Sequence, residues 1–337
     1  MVNRRAATGA GLVWVEEIGI VAEGGPSGLW LRSGGPGEVS AEVNPFAAPG
    51  DSRFTLLLGA PGGQLPGVGS VVEVIRSLEP AVRDRLMVTV YGAEPDGRLS
   101  LGQQLADALG GPVRVHHGVL TTASGGTAHR TAVDAAGNPS WQPFAELSTY
   151  LPGRVGVQVD RWLAPFPEAR IVSPARYQLT PEWIVDVVPA GLVVRPAAAA
   201  PNPLLRCAPT HPDRVDLVVD APGGRVLPDD MLTALGRLGD AMPFAARSRL
   251  RLVLTADVAP SSERSLQWAV PAPQVGWSRP IGVTPASLQL REPSAGSSPA
   301  TSPPATSPPA TDSSSVGWAP LTKFVVDEAF VDELSVR

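Results

Sequence analysis

An internal duplication constrains this chain more than any other feature. Ala60-Pro61-Gly62-Gly63 recurs as Ala221-Pro222-Gly223-Gly224, at an offset of 161. Each turn follows a short apolar run, Phe54–Leu58 in the first half and Val215–Val219 in the second. Each precedes a helix-like segment and then Arg85-Leu86-Met87-Val88 or Arg249-Leu250-Arg251-Leu252, at an offset of 164. Gly28-Leu29-Trp30-Leu31-Arg32 answers to Gly191-Leu192-Val193-Val194-Arg195, Asn44-Pro45 to Asn202-Pro203, Ser100-Leu101 to Ser265-Leu266, and Gly118-Val119 to Gly282-Val283, with offsets from 158 to 165. Trp14 and Trp183 lie upstream at 169. Landmarks in one order at nearly constant spacing predict two related units. A chain of 337 residues also gives roughly two domains at about 150 residues each.

Trp141-Gln142-Pro143 matches Trp318-Ala319-Pro320 at 177. The extra length falls between Arg291 and Trp318, where Pro293–Ser315 is rich in Ser, Pro, Ala and Thr. Such a segment buries no core and is expected to be extended and disordered. The expected division is a first repeat over 10–168, a second over 169–292, a disordered loop or linker over 293–315, and a segment 316–337 completing the second repeat.

Within the first repeat, Val13–Ile20, Leu29–Arg32, Phe54–Leu58, Arg85–Tyr91 and Val113–Leu120 read as strands. The run Phe54–Leu58 is almost wholly apolar, as in a strand buried on both faces. Val68, Val71, Val72 and Ile75 fall at helical spacing, which predicts a helix over about 67–78 ended by Pro80. A second helix is expected over Leu99–Leu109, stopped by Gly110-Gly111. Thr127–Asn138 reads as one arm of a hairpin with Gly137-Asn138 as its turn. In the second repeat Pro271 and Pro273 would break the corresponding second helix. Alternating strands and helices imply a parallel sheet. The fold expected is α/β: two tandem Rossmann-like or flavodoxin-like repeats, with antiparallel additions and a disordered Ser/Pro-rich loop.

Charge and composition exclude several classes. With 27 basic against 32 acidic residues and a net charge of -5, phosphate neutralisation by this chain is disfavoured, and no nucleic-acid partner is expected. One cysteine excludes a disulfide scaffold. Gly11–Val15 is cut short by Glu16-Glu17, too short for a signal peptide. No stretch approaches the ~18 apolar residues of a membrane span. The chain reads as soluble, cytoplasmic by default, and able to be a piece of something longer. Abundant Ala, Gly, Pro and Arg beside a single lysine, Lys323, suggests a GC-rich source.

Several groups of residues offer chemistry. The turns at Gly62-Gly63 and Gly223-Gly224 stand between a strand and a helix, where backbone N–H groups can hold a phosphate. They lack the spacing of dinucleotide or P-loop motifs, and only Gln64 and Arg225 are near them. The plainer reading, preferred here, is two glycines permitting a tight turn. Cys207 with His211 suggests a thiolate–imidazole pair, but Pro209 and Pro212 prevent a helix joining them. The plainer reading is a structural cysteine.

His116 and His117 are adjacent in an expected strand, so their side chains should point to opposite faces; with His129 and His211 remote in sequence, no metal site is expected. Asp229-Asp230 after Pro228 reads as a helix start. Asp327, Glu328, Asp332 and Glu333 among apolar residues read as an acidic amphipathic segment. Trp14, Trp141, Trp183 and Trp318, at equivalent points, read as core, and Trp268 and Trp277 as core or an interaction patch.

Gly191-Leu192-Val193-Val194-Arg195, the Ala-Pro-Gly-Gly turn and Trp141-Gln142-Pro143-Phe144 resemble repeat modules of very large multidomain actinobacterial proteins, including chains with a lonely-cysteine domain and toxin-like architectures. That resemblance implies a spacer or scaffold module and carries no catalytic residues. The expectation is therefore a non-catalytic scaffold or protein-interaction module with protein partners and no cofactor. The alternatives are a nucleotide- or phosphate-ligand-binding enzyme using the glycine turns and, third, a cysteine hydrolase around Cys207.

Overall fold

The structure is a computed structural model that describes residues 12–15, 20–25, 27–33, 53–94, 99–122, 128–153, 156–166, 170–221 and 227–254. The chain divides into two units, Met1–Pro280 and Ile281–Arg337. The second unit, the expected loop over 293–315, the segment 316–337 with its acidic residues, Pro271, Pro273, Trp268, Trp277 and Trp318 all lie outside the described residues.

The first unit is a mixed α/β structure dominated by strands. The chain opens with β1 (Leu12–Val15), β2 (Ile20–Gly25), β3 (Gly28–Ser33) and β4 (Phe54–Leu58), then α1 (Val68–Ser77), α2 (Pro80–Arg83) and β5 (Leu86–Val90). Next come α3 (Leu101–Leu109), β6 (Val113–His116), β7 (Val119–Thr122), β8 (Ala128–Thr131), β9 (Ala145–Tyr150) and β10 (Val157–Trp162). An eight-stranded sheet runs β1-β2-β3-β4-β5-β6-β9-β10. Its centre, β3 to β6, is parallel, and both flanks are antiparallel. β7 and β8 form a separate ribbon.

The chain continues with β11 (Arg170–Ser173), β12 (Arg176–Gln178), β13 (Trp183–Val188), β14 (Gly191–Pro196), α4 (Pro203–Arg206) and β15 (Val215–Val219). It then forms α5 (Asp229–Ala241), α6 (Phe244–Arg247) and β16 (Leu250–Leu254). These strands make a six-stranded sheet in the order β11 to β16, antiparallel up to β14 and parallel from β14 to β16. Both sheets contain one series: an antiparallel hairpin (β2–β3, β13–β14), a parallel strand (β4, β15), a helix (α1, α5), a one-turn helix (α2, α6) and a parallel strand (β5, β16).

Local chemistry explains the elements. In β4, Leu56 and Leu58 face the helix side and Leu57 the other, and all three are buried. α1 turns Val71, Val72, Val74 and Ile75 inward. Ser100 caps α3, its hydroxyl accepting from Gln103 N, and Gly110 ends it in the left-handed region at φ 70°. Asp229 and Asp230 occupy the first turn of α5. One apolar core runs from the α1–α3 face of the first sheet to the α5 face of the second, and buried Trp141 and Trp183 belong to it.

Three expectations are corrected. The expected strand Val13–Ile20 is two strands, because Val15 pairs with Ile20 in a hairpin. Pro80 starts α2 and does not merely end α1. Val113–Leu120 breaks after His116, where Gly118 at φ 88° takes the chain from the large sheet into the β7–β8 ribbon. A Cβ there would lie 2.7 Å from the Thr131 carbonyl, so glycine is required by space as well as by φ. The parallel, helix-covered sheet expected from the strand–helix alternation is only the middle of a strand-rich structure, in which three of six described helices have four residues.

Candidate functional site

In open α/β sheets, ligands bind beyond the carboxyl ends of parallel strands. In the first sheet those ends are the loop after β4, Tyr91 to Glu94 after β5, and His117-Gly118 after β6. A small cleft lies there, lined by Tyr91, Glu94, His116, His117 and, from the second half of the chain, Thr210 and Pro212. Its free space is about 20 Å³ for the centre of a water-sized sphere, room for one or two waters.

The glycine turn stands beside this cleft without lining it. Gly63 N–H is bonded to Ala60 O at 3.1 Å, so this donor is already engaged within the turn. The Cβ side of Gly62 is filled by the Ala135 carbonyl, 2.9 Å from where a Cβ would sit. Ala135 belongs to a tight turn in which Asp134 Oδ1 accepts from Ala136 N at 2.9 Å and Asn138 N at 2.8 Å; these N–H groups pull the Asp134 carboxyl below its usual range. This is the turn expected at Gly137-Asn138. Four residues separate Gly63 from α1, whose N-cap is Gly67. The helix N-terminus therefore does not abut the glycines. Gly223 and Gly224 lie outside the described residues.

Cys207 follows α4 and is buried. Its Sγ accepts from Gly156 N at 3.0 Å and donates to Gln103 Oε1 at 3.7 Å. Burial raises its pKa, against the smaller pull of the Gly156 N–H. A protonated thiol bonded to an amide is not poised for attack. His211 Nδ1 accepts from Asp213 N at 3.1 Å. The structure does not pair His211 with the Cys207 thiol, whose partners are Gly156 and Gln103.

The strand ends at His116, and both histidines are among the residues that line the cleft. His117 Nε2 lies 2.9 Å from Ser148 Oγ and its Nδ1 3.1 Å from Thr210 Oγ1. His116 Nδ1 lies 3.4 Å from Glu146 O. Burial, and then the Arg130 charge, hold both rings neutral; His117 is lowered to about 3.

Glu94 gives no sequence signal; it stands alone in a loop. Its carboxylate accepts the Leu101 N–H at the start of α3, and burial pushes its pKa up to about 7 against that hydrogen bond. Tyr150 beside it is raised by burial and by the Glu94 charge. Among the described residues, no cluster of three or more His, Cys, Asp or Glu could hold a metal. Nor is any helix there long and apolar enough to cross a membrane.

Thr210 and Pro212 belong to the crossover from β14 to β15, which meets the first half of the chain through Cys207, Thr210, His211 and Pro212. Cys207 meets Gln103 and Gly156, and Thr210 meets His117. The His211 carbonyl takes the Trp141 indole N–H at 2.9 Å, and the Pro212 carbonyl takes the Ser140 hydroxyl. No protein-family profile, curated protein or solved structure matches this chain.

Proposed function

We propose that this chain is a non-catalytic scaffold or protein-interaction module made of two related α/β repeats of Rossmann-like character. One observation carries the reading. The crevice beyond β5 and β6, where such a sheet would receive a ligand, is lined by the chain's own crossover at Thr210 and Pro212, which narrows it to a small cleft. The glycine turn, the thiol and His117 are each engaged with other parts of the same chain. Outward, the fold leaves Ile171, Val172 and Phe244 exposed, apolar side chains suited to contact with another protein. The resemblance to repeat modules of large actinobacterial proteins agrees with a spacer role.

The test is a thermal-shift panel of nucleotides, dinucleotides and sugar phosphates. No shift is expected. A ligand at 100 times its dissociation constant adds about 2.7 kcal/mol, so binding would be visible. A reproducible shift that Gly63→Val abolishes would overturn the scaffold reading in favour of the phosphate-binding one.

A further inference from the structure

Parallel neighbours in a sheet are joined as a rule by a helix packed on that sheet. The link from β15 to β16 follows the rule: α5 turns Met231, Leu232, Leu235 and Leu238 inward. The link from β14 to β15 does not. In residues 197–214 the only helix is the single turn α4, and only Cys207 and Pro212 are buried. A connection this long with so little regular structure is uncommon inside a folded unit, and where it occurs it is typically a lid or a binding loop.

The ends and the middle of this crossover are held differently. At its start, Ala197 N–H is bonded to Glu182 O at 2.8 Å, and Arg195 donates to the Ala199 carbonyl. At its finish, Val215 N–H enters the second sheet through Arg249 O at 2.9 Å. Between them, Leu205 and Ala208 are only partly buried against a small apolar cluster of the second sheet. Cys207 is the crossover's one side chain in the main apolar core. Toward the first half of the chain the middle makes single hydrogen bonds. The Cys207 thiol donates to Gln103 Oε1 and accepts from Gly156 N–H. Thr210 Oγ1 lies 3.1 Å from His117 Nδ1, and the His211 and Pro212 carbonyls accept from Trp141 and Ser140. Each such bond is weak on balance, because water replaces it when the groups part.

Next to this middle lie Tyr91, Glu94, His116 and His117, at the carboxyl ends of β5 and β6, where an open α/β sheet takes its ligand. We propose that the crossover is a lid: residues 204–213 move away from the first sheet as one piece, with β14 and β15 left in place, and uncover these strand ends. The scaffold reading concerns the closed form, and this inference does not rest on it.

Cys207, the chain's one cysteine, reports the opening. The experiment follows its labelling in the full chain by dithiodipyridine at neutral pH, in urea concentrations below the unfolding transition. The equilibrium unfolding curve, measured in parallel, gives the rate that global unfolding alone would allow. A lid exposes little surface, so the wild type should label about tenfold faster or more than that rate, with a much shallower dependence on urea. Thr210→Val and Ser140→Ala each remove a bond of the crossover away from the thiol. Each should speed labelling by about fivefold, the weight of one hydrogen bond, with the same shallow slope. The lid is overturned if labelling runs no faster than global unfolding allows or carries its full urea slope. It is overturned equally if labelling is fast but either variant leaves it unchanged, since the thiol would then be reached from the Gly156 side with the crossover still seated.

Discussion

Trp141 donates its indole N–H to the carbonyl of His211 at 2.9 Å, joining residues 70 apart in sequence. One buried aromatic thus packs in the first sheet's core and fastens the main chain of the second sheet's crossover. Trp141→Phe keeps much of the packing and removes the hydrogen bond. Lost volume and the lost donor together should cost about 2–4 kcal/mol. At about 2–4 °C per kcal/mol for a unit of this size, the thermal midpoint should drop by several degrees. A midpoint within one degree of wild type would show that this contact does not hold the crossover.

Asp186 is shared between two arginines, accepting from Arg195 Nε at 2.6 Å and Arg176 Nε at 2.7 Å. The Arg195 side chain is 2% exposed and that of Asp186 7%. Removing one partner of such a pair leaves a buried charge uncompensated. Asp186→Asn should cost about 3–5 kcal/mol in urea unfolding. Asp186→Leu combined with Arg195→Met, which removes both charges, should cost less than Asp186→Asn alone. If the double variant were the less stable, the pair would be supplying net stability and not merely satisfying a buried cation.

Glu94 and the two histidines respond to pH with opposite signs. Glu94 is raised from 4.5 to about 7, so the folded state holds the extra proton between those values. Its stabilising contribution is full below pH 4.5 and is lost as pH rises through about 7. His116 and His117 are lowered from 6.5, so the unfolded state holds their extra protons. Their contribution is present above pH 6.5 and is lost on acidification below it. Stability should peak between about pH 6 and 7. Glu94→Gln keeps an oxygen for the Leu101 N–H but does not ionise. It should raise the midpoint relative to wild type at pH 8 and give no such gain at pH 5. Equal effects at both values would mean that Glu94 titrates normally.

Residues with strong local signals were legible in the sequence. Phe54–Leu58 is a strand over its full expected length, because an apolar run bounded by turn residues has no other comfortable state. α3 ends where Gly110 says it must and begins one residue after Ser100, two later than expected, because Ser100 caps it. The break at His117-Gly118 was not legible, because β-branched residues continue on both sides and only the close approach to Thr131 makes glycine necessary. The site was less legible still. Glu94 and Thr210 acquire their roles from partners distant in sequence, and no spacing rule links Thr210 to His117, 93 residues earlier. The recurrence of Ala-Pro-Gly-Gly pointed to the glycine turns, whereas the polar groups gather one strand further along.

The crossover from β14 to β15 makes the two sheets depend on each other. A connection that in an isolated sheet would only carry the chain from one strand to the next here also roofs the neighbouring sheet, through Thr210, His211 and Pro212. Neither half can be shuffled into another protein unchanged: the first would arrive with its strand ends bare, the second with a loop shaped for a surface it no longer meets.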